Sequence, residues 1–439
     1  MPLLPPLRHV DLLVRWSGHN TGPMPGAAEP RAVRSVAIIG AGTMGIAVAA
    51  ANVGRGVPVA IVDSDDNTRA AALQRVAAEL TQASDVGNGE AIAAVTRLVR
   101  CATDPAEIAS CDLVLESVTE TASTKQSVYA MVEPHLSAKA TLASNTSAIP
   151  IGRLAAGLAQ KGRFCGLHFF HPVRSRPLVE VVRGPDTTDE TIATAVAYAK
   201  GIGKMPIVVR DGPGFLVNRL LVPYLAEALE LLLDGVAIQE IDRAATDFGM
   251  ALGPLRMLDE IGLDTAVLAG RVLWDAFPER VSVSPLLITM FKAGRLGRKS
   301  GAGFFAYSNG SGGDGPGQRD AQVEKLIADW VRPQPSVPPD DIAARLLLPM
   351  ILEATRLLED GTVRDPRAID LGAIFGLGFP AARGGLLYWA DTVGIERILA
   401  MLRALTPLGP HVAPTGMLLY MARRGGRFHG GDSGDSHRG

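Results

Sequence analysis

A histidine and a glutamate stand in two neighbouring apolar segments, where their side chains could act together as a base. His168 lies in the apolar run GLHFF, and Glu180 lies in the second run, LVEVV. A carboxylate bound to one imidazole nitrogen fixes the ring's tautomer and stabilises its protonated form. Residues 166–182 therefore predict two strands that hold an oriented general base. The alternative is a structural histidine near a solvated glutamate.

A glycine-rich turn precedes these strands in the chain. The apolar segment Val36 to Ile39 is followed by GAGTMG and then by a helix of small residues. In this spacing the first glycine permits the tight turn, the second lets the backbone approach a pyrophosphate, and the third allows close helix packing. The helix N-terminus faces the anion. The motif predicts a dinucleotide site that includes Gly40, Gly42, Thr43, Met44 and Gly45.

An acid ends the next predicted strand. Asp63 closes PVAIVD, where a carboxylate accepts hydrogen bonds from ribose hydroxyls. Asp65 and Asp66 follow it, and acids would repel a 2′-phosphate, so the sequence favours NAD over NADP. Arg69 would favour a phosphate, but its place in DNTRAAALQRVAAEL indicates a helical, solvated side chain.

Polar residues also follow two further strands. Glu120, with Lys125 after it, follows LVLESV, and SNTS at 144–147 follows ATLA. Ligands of doubly wound sheets bind at the carboxyl ends of strands, so these side chains are predicted to line the cofactor cleft. For Glu120 and Lys125, a charged first turn of the next helix is an equally good reading. Residues 33–210 thus predict a parallel, Rossmann-like α/β domain.

The character of the sequence changes after DGPGF. Residues 211–307 contain helix-length segments rich in Leu, Ala and Glu, and Asn218 opens the first of them. They predict an all-helical domain. Its last segment, GRKSGAGFFAY, is a cationic loop that could hold a phosphate or be a solvated turn. Residues 308–341 read as a linker.

A long segment of the helical half occurs twice. RLLVPYLAEALELLLDG at 219–235 resembles RLLLPMILEATRLLEDG at 345–361, which predicts a duplicated helical domain over 342–424. Ala344 stands where the first copy has Asn218, so the second copy is predicted to keep the packing face without the amide. Pairing of the copies within one chain would occupy a dimer surface and leave the protein monomeric.

The two ends and the composition complete the sequence-based expectations. Residues 1–32 are predicted to be a linker or disordered arm with a short helix or strand, and residues 425–439 a disordered tail, in which His429 and His437 are not expected to bind metal. A net charge of -2 argues against a nucleic-acid partner. Three cysteines without CxxC spacing and the lack of a membrane-length apolar run predict a cytoplasmic protein with reduced thiols, no membrane span and no metal site.

Five motifs occur together in an order typical of one enzyme family. GAGTMG, SNTS, GLHFFHP with LVEVV, DGPGFLVNR and GRKSGAGFFAY make the chain resemble the L-3-hydroxyacyl-CoA dehydrogenase family over residues 33–403. The resemblance implies NAD-dependent oxidation of a (3S)-3-hydroxyacyl-CoA to a 3-oxoacyl-CoA in fatty-acid β-oxidation. It assigns the base to His168 and its orienting acid to Glu180. It also assigns substrate contacts to Ser147 and Asn218, and cofactor contacts to Asp63, Glu120 and Lys125.

The duplicated half is similar to the dehydrogenase half of the multifunctional fatty-acid oxidation proteins, without a hydratase half expected before Val33. The chain departs from the family at His171, where an asparagine is usual. One alternative is a dehydrogenase of a related substrate, such as 3-hydroxyadipyl-CoA, 3-hydroxybutyryl-CoA or a hydroxy acid without CoA. Another is a nucleotide-binding scaffold subunit that associates with a hydratase or thiolase.

Overall fold

The computed structural model describes residues 3–19, 28–83, 87–281, 284–307, 317–332 and 339–429. The chain divides into two compact units. An α/β unit comprises Leu12–Phe215, and a helical unit comprises Met1–Asp11 together with Leu216–Gly439. The division falls in the DGPGF loop, where the sequence also changes character.

The α/β unit is built on an eight-stranded sheet of order β3-β2-β1-β4-β5-β6-β7-β8. Its strands are β1 (Val36–Ile39), β2 (Val59–Val62), β3 (Val99–Ala102), β4 (Leu113–Glu116), β5 (Thr141–Ser144), β6 (Phe164–Phe169), β7 (Leu178–Arg183) and β8 (Met205–Arg210). Every pairing is parallel except that of β6 with β7, which is antiparallel. The predicted parallel, Rossmann-like sheet is thus confirmed except at this pair, where a short turn joins β6 to β7 and leaves no room for a crossover helix.

Helices cover this sheet, and β1, β2, β4 and β5 are buried at every position. Strands buried on both faces read as continuous apolar runs, as VAII and VAIV do, whereas LVLE and TLAS carry polar residues at their ends. The helices that contribute to the unit are α1 (Pro6–His19), α2 (Thr43–Val53), α3 (Asp66–Ala83), α4 (Asn88–Leu98), α5 (Ala122–Val132), α6 (Ile151–Leu154) and α7 (Asp189–Gly201).

The helical unit confirms the all-helical prediction for the second half of the chain. Its first copy contains α8 (Val217–Leu233), α9 (Ile238–Phe248), α10 (Pro254–Ile261), α11 (Leu263–Ala276) and α12 (Pro285–Lys292). The helix α13 (Ala321–Ala328) lies within residues 308–341, the segment predicted to be a linker. The second copy contains α14 (Pro339–Glu359), α15 (Pro366–Leu371), a π-helical turn at Gly372–Leu377, α16 (Leu386–Val393), α17 (Ile395–Ala404) and α18 (Gly416–Arg424).

Ion pairs of two buried arginines join the two copies near their first helices, α8 and α14, in a symmetric pattern. Each arginine binds the glutamate and the aspartate of the other copy: Arg219 binds Glu353 (Nε to Oε2, 2.9 Å) and Asp360 (3.2 Å), and Arg345 binds Glu227 (Nη2 to Oε2, 3.3 Å) and Asp234 (2.7 Å). These residues recur at the same places in the repeated sequence. The duplication predicted from sequence therefore forms a two-fold arrangement within the helical unit.

Both ends of the chain are more ordered than the sequence indicated. Within the predicted arm 1–32, residues 6–19 form the helix α1, so the short helix or strand predicted there is a helix, and it extends into the segment predicted to be a linker. Residues 425–429, predicted to be disordered, follow α18, and Asp391 accepts the backbone N–H groups of Phe428 and His429 at 2.8 Å. The prediction from composition was wrong here because the buried carboxylate of Asp391 binds the backbone of this glycine-rich segment. Residues 20–27 and 430–439, with His437, lie outside the described residues.

Among the described residues, no helix combines the length and the apolar character needed to cross a lipid bilayer. The three cysteines are free thiols; Cys111 and Cys165 are buried, and Cys101 is exposed.

Candidate active site

The antiparallel pairing of β6 with β7 places the predicted base opposite its carboxylate. His168 and Glu180 are direct cross-strand partners. His168 Nδ1 lies 2.6 Å from Glu180 Oε2, and both side chains are buried. This distance is that of a strong, charge-assisted hydrogen bond, in which Nδ1–H donates to the carboxylate. Nε2, on the other side of the ring, is therefore the nitrogen that can accept a proton.

Aromatic rings surround this imidazole. The ring of Phe170 lies 4.4 Å from that of His168, centroid to centroid, and the ring of Phe215 lies 6.1 Å away. Asn145 of the SNTS motif holds the end of β6, since its Oδ1 accepts the backbone N–H of Phe169 at 2.9 Å. Apolar neighbours lower the local dielectric constant, which strengthens the hydrogen bond between His168 and Glu180.

A buried carboxylate organises the ends of β4 and β5. Glu116 is fully buried and accepts hydrogen bonds from Lys125 Nζ at 2.7 Å, Tyr129 Oη at 2.6 Å and Ser144 Oγ at 2.7 Å. Lys125 is also buried, and its ammonium group lies 3.1 Å from Glu120 Oε2. Lys125 thus faces two carboxylates, and it acts on the strand ends by positioning Glu120.

Glu120 connects this cluster to the SNTS motif. Its Oε1 accepts hydrogen bonds from Thr146 Oγ1 and the Ser147 backbone N–H, both at 2.7 Å, and lies 3.1 Å from Ser147 Oγ. Burial alone would raise the pKa of Glu120, but Lys125, Thr146 and Ser147 outweigh it and lower the pKa. Glu120 is therefore a carboxylate held in a fixed orientation beside Ser147.

The glycine-rich turn has the shape that a dinucleotide requires. Gly40 has φ of +102°, and a Cβ there would lie 2.5 Å from the Ser117 carbonyl oxygen. A Cβ on Gly45 would lie 1.9 Å from the Gly40 carbonyl oxygen. At Gly42, by contrast, a Cβ would meet nothing within 4 Å, and no side chain caps the helix α2 that begins at the next residue. Open space thus lies in front of uncapped backbone N–H groups, which fits a pyrophosphate.

Asp63 stands at the end of β2, beside this turn. Its Oδ2 accepts the Ala41 N–H at 2.7 Å, and its Oδ1 accepts the Asp65 N–H at 2.9 Å. Arg69 lies in α3, as predicted, but its side chain is only 17% exposed, and it binds the Asp63 carbonyl and Asp66. The prediction of a solvated Arg69 is therefore wrong, because its guanidinium group binds these oxygens of the protein.

The other predicted residues lie as follows. Asn218 belongs to the helical unit, half-buried in the first turn of α8, and Ala344 occupies the matching position in α14. His171 is exposed in the turn after β6. In GRKSG, Arg298 pairs with Glu260, and Lys299 binds Asp264 with Nζ 2.7 Å from Oδ2. These ion pairs favour the interpretation of that loop as a turn over its interpretation as a phosphate-binding loop.

Sequence reasoning assigned no role to Glu116, and it predicted Asn145 only as one of the SNTS side chains that line the cofactor cleft. Glu116 had a visible signal, since it is an acid at the last position of an otherwise apolar strand, LVLE. Asn145 had only its place in SNTS, because nothing local in the sequence shows that its side chain binds the backbone of another strand.

Two family profiles match the chain. The profile described as 3-hydroxyacyl-CoA dehydrogenase, NAD binding domain, matches residues 35–212. The profile described as 3-hydroxyacyl-CoA dehydrogenase, C-terminal domain, matches residues 214–307 and 342–426. The second pair of ranges corresponds to the two helical copies.

Three solved structures are informative. The 3-hydroxybutyryl-CoA dehydrogenase of Escherichia coli is 25% identical, with a TM-score of 0.78, and the match covers 90% of this chain and 99% of that one. The (S)-3-hydroxybutyryl-CoA dehydrogenase of Ralstonia eutropha is 35% identical, with a TM-score of 0.59, over 63% and 100%. The dehydrogenase part of a Caenorhabditis elegans multifunctional enzyme is 25% identical, with a TM-score of 0.66, over 93% and 96%.

These matches extend over both units and include the strands that carry His168 and Glu180. The chain belongs to the 3-hydroxyacyl-CoA dehydrogenase family and is an NAD-dependent oxidoreductase.

Proposed function

We propose that the chain oxidises a (3S)-3-hydroxyacyl-CoA to the 3-oxoacyl-CoA, with His168 as general base and Glu180 as the residue that orients it. The observation that carries this proposal is the buried hydrogen bond of 2.6 Å between His168 Nδ1 and Glu180 Oε2. It leaves Nε2 to accept the hydroxyl proton of the substrate. Glu180 stabilises the imidazolium that results.

The remaining residues hold the reactants. The proposal gives Ser147 the role of a hydrogen-bond partner of the reacting oxygen, supported by its fixed position beside Glu120. The same role for Asn218 rests on the family motif alone. Such contacts reduce the entropy that is lost in bringing C3 to the cofactor.

The glycine-rich turn and Asp63 are proposed to hold NAD. Backbone N–H groups at Gly42, Thr43 and Met44 would bind the pyrophosphate, and Asp63 would bind the adenosine ribose. Glu120, positioned by Lys125, would bind nearer the nicotinamide. Bound NAD supplies the hydride acceptor.

The substrate is proposed to be a short-chain acyl-CoA. Two of the solved relatives carry the name 3-hydroxybutyryl-CoA dehydrogenase, and one of them is 35% identical. A role in fatty-acid β-oxidation in the cytoplasm is part of the same proposal. A monomeric state is supported by the symmetric ion pairs between the two helical copies.

A substrate panel tests the chain length. NADH formation would be measured with (3S)-3-hydroxyacyl-CoAs of short, medium and long chain, with 3-hydroxyadipyl-CoA and with free 3-hydroxybutyrate. The proposal expects the highest kcat/KM with the four-carbon thioester. A higher value with a long-chain or dicarboxylic thioester would overturn the short-chain assignment, and turnover of the free acid would show that CoA is not required. Sedimentation as a dimer would contradict the monomer.

A further inference from the structure

Three side chains without a role in the proposed reaction meet inside the helical unit. They are His9 of α1, Asp370 of α15 and His429, which follows α18. His429 Nε2 lies 2.7 Å and His9 Nε2 lies 3.5 Å from Asp370 Oδ2, and the three ligand atoms all lie within 4.8 Å of one another. The side chains of both histidines are 9% exposed, and that of Asp370 is fully buried.

The first helical copy shows which contacts the corresponding aspartates, Asp242 and Asp259, make without a histidine. There Asp242 accepts the backbone N–H of Leu255 at 2.9 Å. Asp259 accepts those of Phe304 at 2.8 Å and Phe305 at 2.9 Å. Burial raises the pKa of Asp242 to about 6.

The second copy repeats these backbone contacts with different side chains. Asp370 accepts the N–H of Leu387 at 2.7 Å, and Asp391 accepts those of Phe428 and His429 at 2.8 Å. His429 thus occupies the position of Phe305 in the first copy. An imidazole replaces an apolar ring beside a buried carboxylate, and α1 brings a second imidazole to the same carboxylate.

Hydrogen bonding does not account for this arrangement. Among the described residues, neither His9 Nε2 nor His429 Nε2 makes a hydrogen bond of good geometry, although His429 Nε2 lies at ion-pair distance, 2.7 Å, from Asp370 Oδ2. The two rings lie 4.5 Å apart, centroid to centroid, and both Nε2 atoms face the same carboxylate oxygen of Asp370. Two buried imidazole nitrogens and one carboxylate oxygen that converge in this way form a set of ligand atoms that one shared cation would satisfy.

We propose that His9, Asp370 and His429 bind a Zn²⁺ ion that fastens both ends of the chain to the second helical copy. Imidazole nitrogen and carboxylate oxygen are ordinary zinc ligands at roughly 2.1 Å, so two ligands of one ion lie no more than about 4.2 Å apart. The separations of the two Nε2 atoms from Asp370 Oδ2, 2.7 and 3.5 Å, are within this limit, and the two nitrogens lie within 4.8 Å of each other. Tyr388, which stacks on His9, already donates a hydrogen bond to the Leu4 carbonyl, so the ion would reinforce an existing attachment of α1.

The test uses the full chain without an affinity tag, treated with a chelator and dialysed. Isothermal titration with Zn²⁺ is expected to give one bound ion per chain, and thermal unfolding is expected to shift to higher temperature with Zn²⁺. Co²⁺ should give the intense visible bands of a low-symmetry, four-coordinate site. Absence of stoichiometric binding by the wild-type chain would overturn the proposal without any variant.

Two variants and a matched control locate the ion. His429→Phe introduces the residue that the first copy uses, so the fold is expected to persist. Its Zn²⁺ affinity, like that of His9→Ala, should fall by roughly 10- to 100-fold or more, the loss seen when even outer partners of metal ligands are removed. His19→Gln changes an exposed imidazole on the same helix and should bind as the wild type does. Equal affinity in all four proteins would place the ion elsewhere and refute the assignment.

Discussion

The α/β unit and the helical unit both bury charged side chains, but with different geometry. In the α/β unit, Glu116, Lys125 and Glu120 form a chain of contacts that ends at Ser147, beside the ends of parallel strands. In the helical unit, Arg219 and Arg345 bind acids of the opposite copy in a symmetric pattern. The first arrangement has no internal symmetry and ends at an accessible hydroxyl. In the second, equivalent residues of the two copies pair reciprocally.

The difference teaches which buried charges indicate chemistry. Burial alone does not, because Arg219 and Arg345 are as buried as His168. A reactive group must keep one atom uncommitted, as His168 does when Glu180 takes Nδ1 and leaves Nε2. Arg219 and Arg345 instead bind carboxylates of the opposite copy, so their charges serve the pairing of the two copies.

The largest effect on turnover is expected from His168→Gln, which removes the base but keeps a polar side chain. We expect kcat to fall by about 10²–10⁴-fold, the usual contribution of a positioned base. NADH binding, followed by its fluorescence, should be unchanged. His171→Gln is the matched control, since it changes an exposed imidazole in the following turn, and it should keep most activity. The reverse result would move the base to His171.

The ion pairs of the helical unit should affect stability and leave the chemistry intact. Arg345→Met leaves Glu227 buried with His411 as its remaining partner, at 2.8 Å, so we expect a loss of about 3–5 kcal/mol in the free energy of unfolding. Arg219→Met leaves Glu353 paired with Arg356 at 2.6 Å and should cost less, about 1–3 kcal/mol.

Urea denaturation followed by circular dichroism would measure both losses. The exposed pair of Arg367 with Asp365 supplies the control, since Arg367→Met should cost no more than about 1 kcal/mol. Equal losses for Arg345→Met and Arg219→Met would show that the remaining partners of the two glutamates do not affect the free energy of unfolding, which would contradict the expected difference between the variants.

A smaller effect on turnover is expected from Glu180→Gln. The amide can still accept a hydrogen bond from His168, but it lacks the charge that stabilises the imidazolium. A hydrogen bond to a charged group contributes about 1.5–3 kcal/mol, and we therefore expect kcat to fall on the order of 10- to 100-fold. KM for the thioester should change little. A rise in KM with unchanged kcat would instead give Glu180 a role in substrate binding.

The smallest effect concerns the pH dependence of stability. The fold lowers the pKa of Glu120 because Lys125, Thr146 and Ser147 outweigh the effect of burial. Its stabilising contribution is present above the pKa of an unfolded glutamate, about 4.3, and is lost as the pH falls through the lower folded pKa. Urea denaturation of wild type and Glu120→Gln should therefore differ most at neutral pH and converge in acid. A constant difference would exclude this linkage.

The elements with a strong local pattern could be predicted from the sequence. GAGTMG, its flanking strands and Asp63 specify a turn by glycine spacing, and that turn is present. His168 and Glu180 were paired correctly because both stand on apolar strands. Glycine spacing and apolar runs are local signals, so they can be recognised without knowledge of the tertiary structure.

Features that depend on contacts between distant parts of the chain could not be predicted from the sequence. The antiparallel direction of β7 follows from pairing, and the hub at Glu116 follows from side chains of three different elements. The prediction of disorder at Phe428 and His429 was wrong because it rested only on the glycine-rich composition of residues 425–439. Aligning GRKSGAGFF with ARRGGRFH would have shown that the second copy continues to Phe428 and His429.

One measurement tests the central claim most directly. Purified wild-type protein would be given NAD with (3S)-3-hydroxybutyryl-CoA or with its (3R) enantiomer, and NADH formation would be followed by absorbance. The account predicts turnover of the (3S) form, loss of that turnover in His168→Gln, and little turnover of the (3R) form, whose hydroxyl and C3 hydrogen are exchanged relative to a fixed base. Equal rates with both enantiomers, or unchanged turnover in His168→Gln, would contradict it.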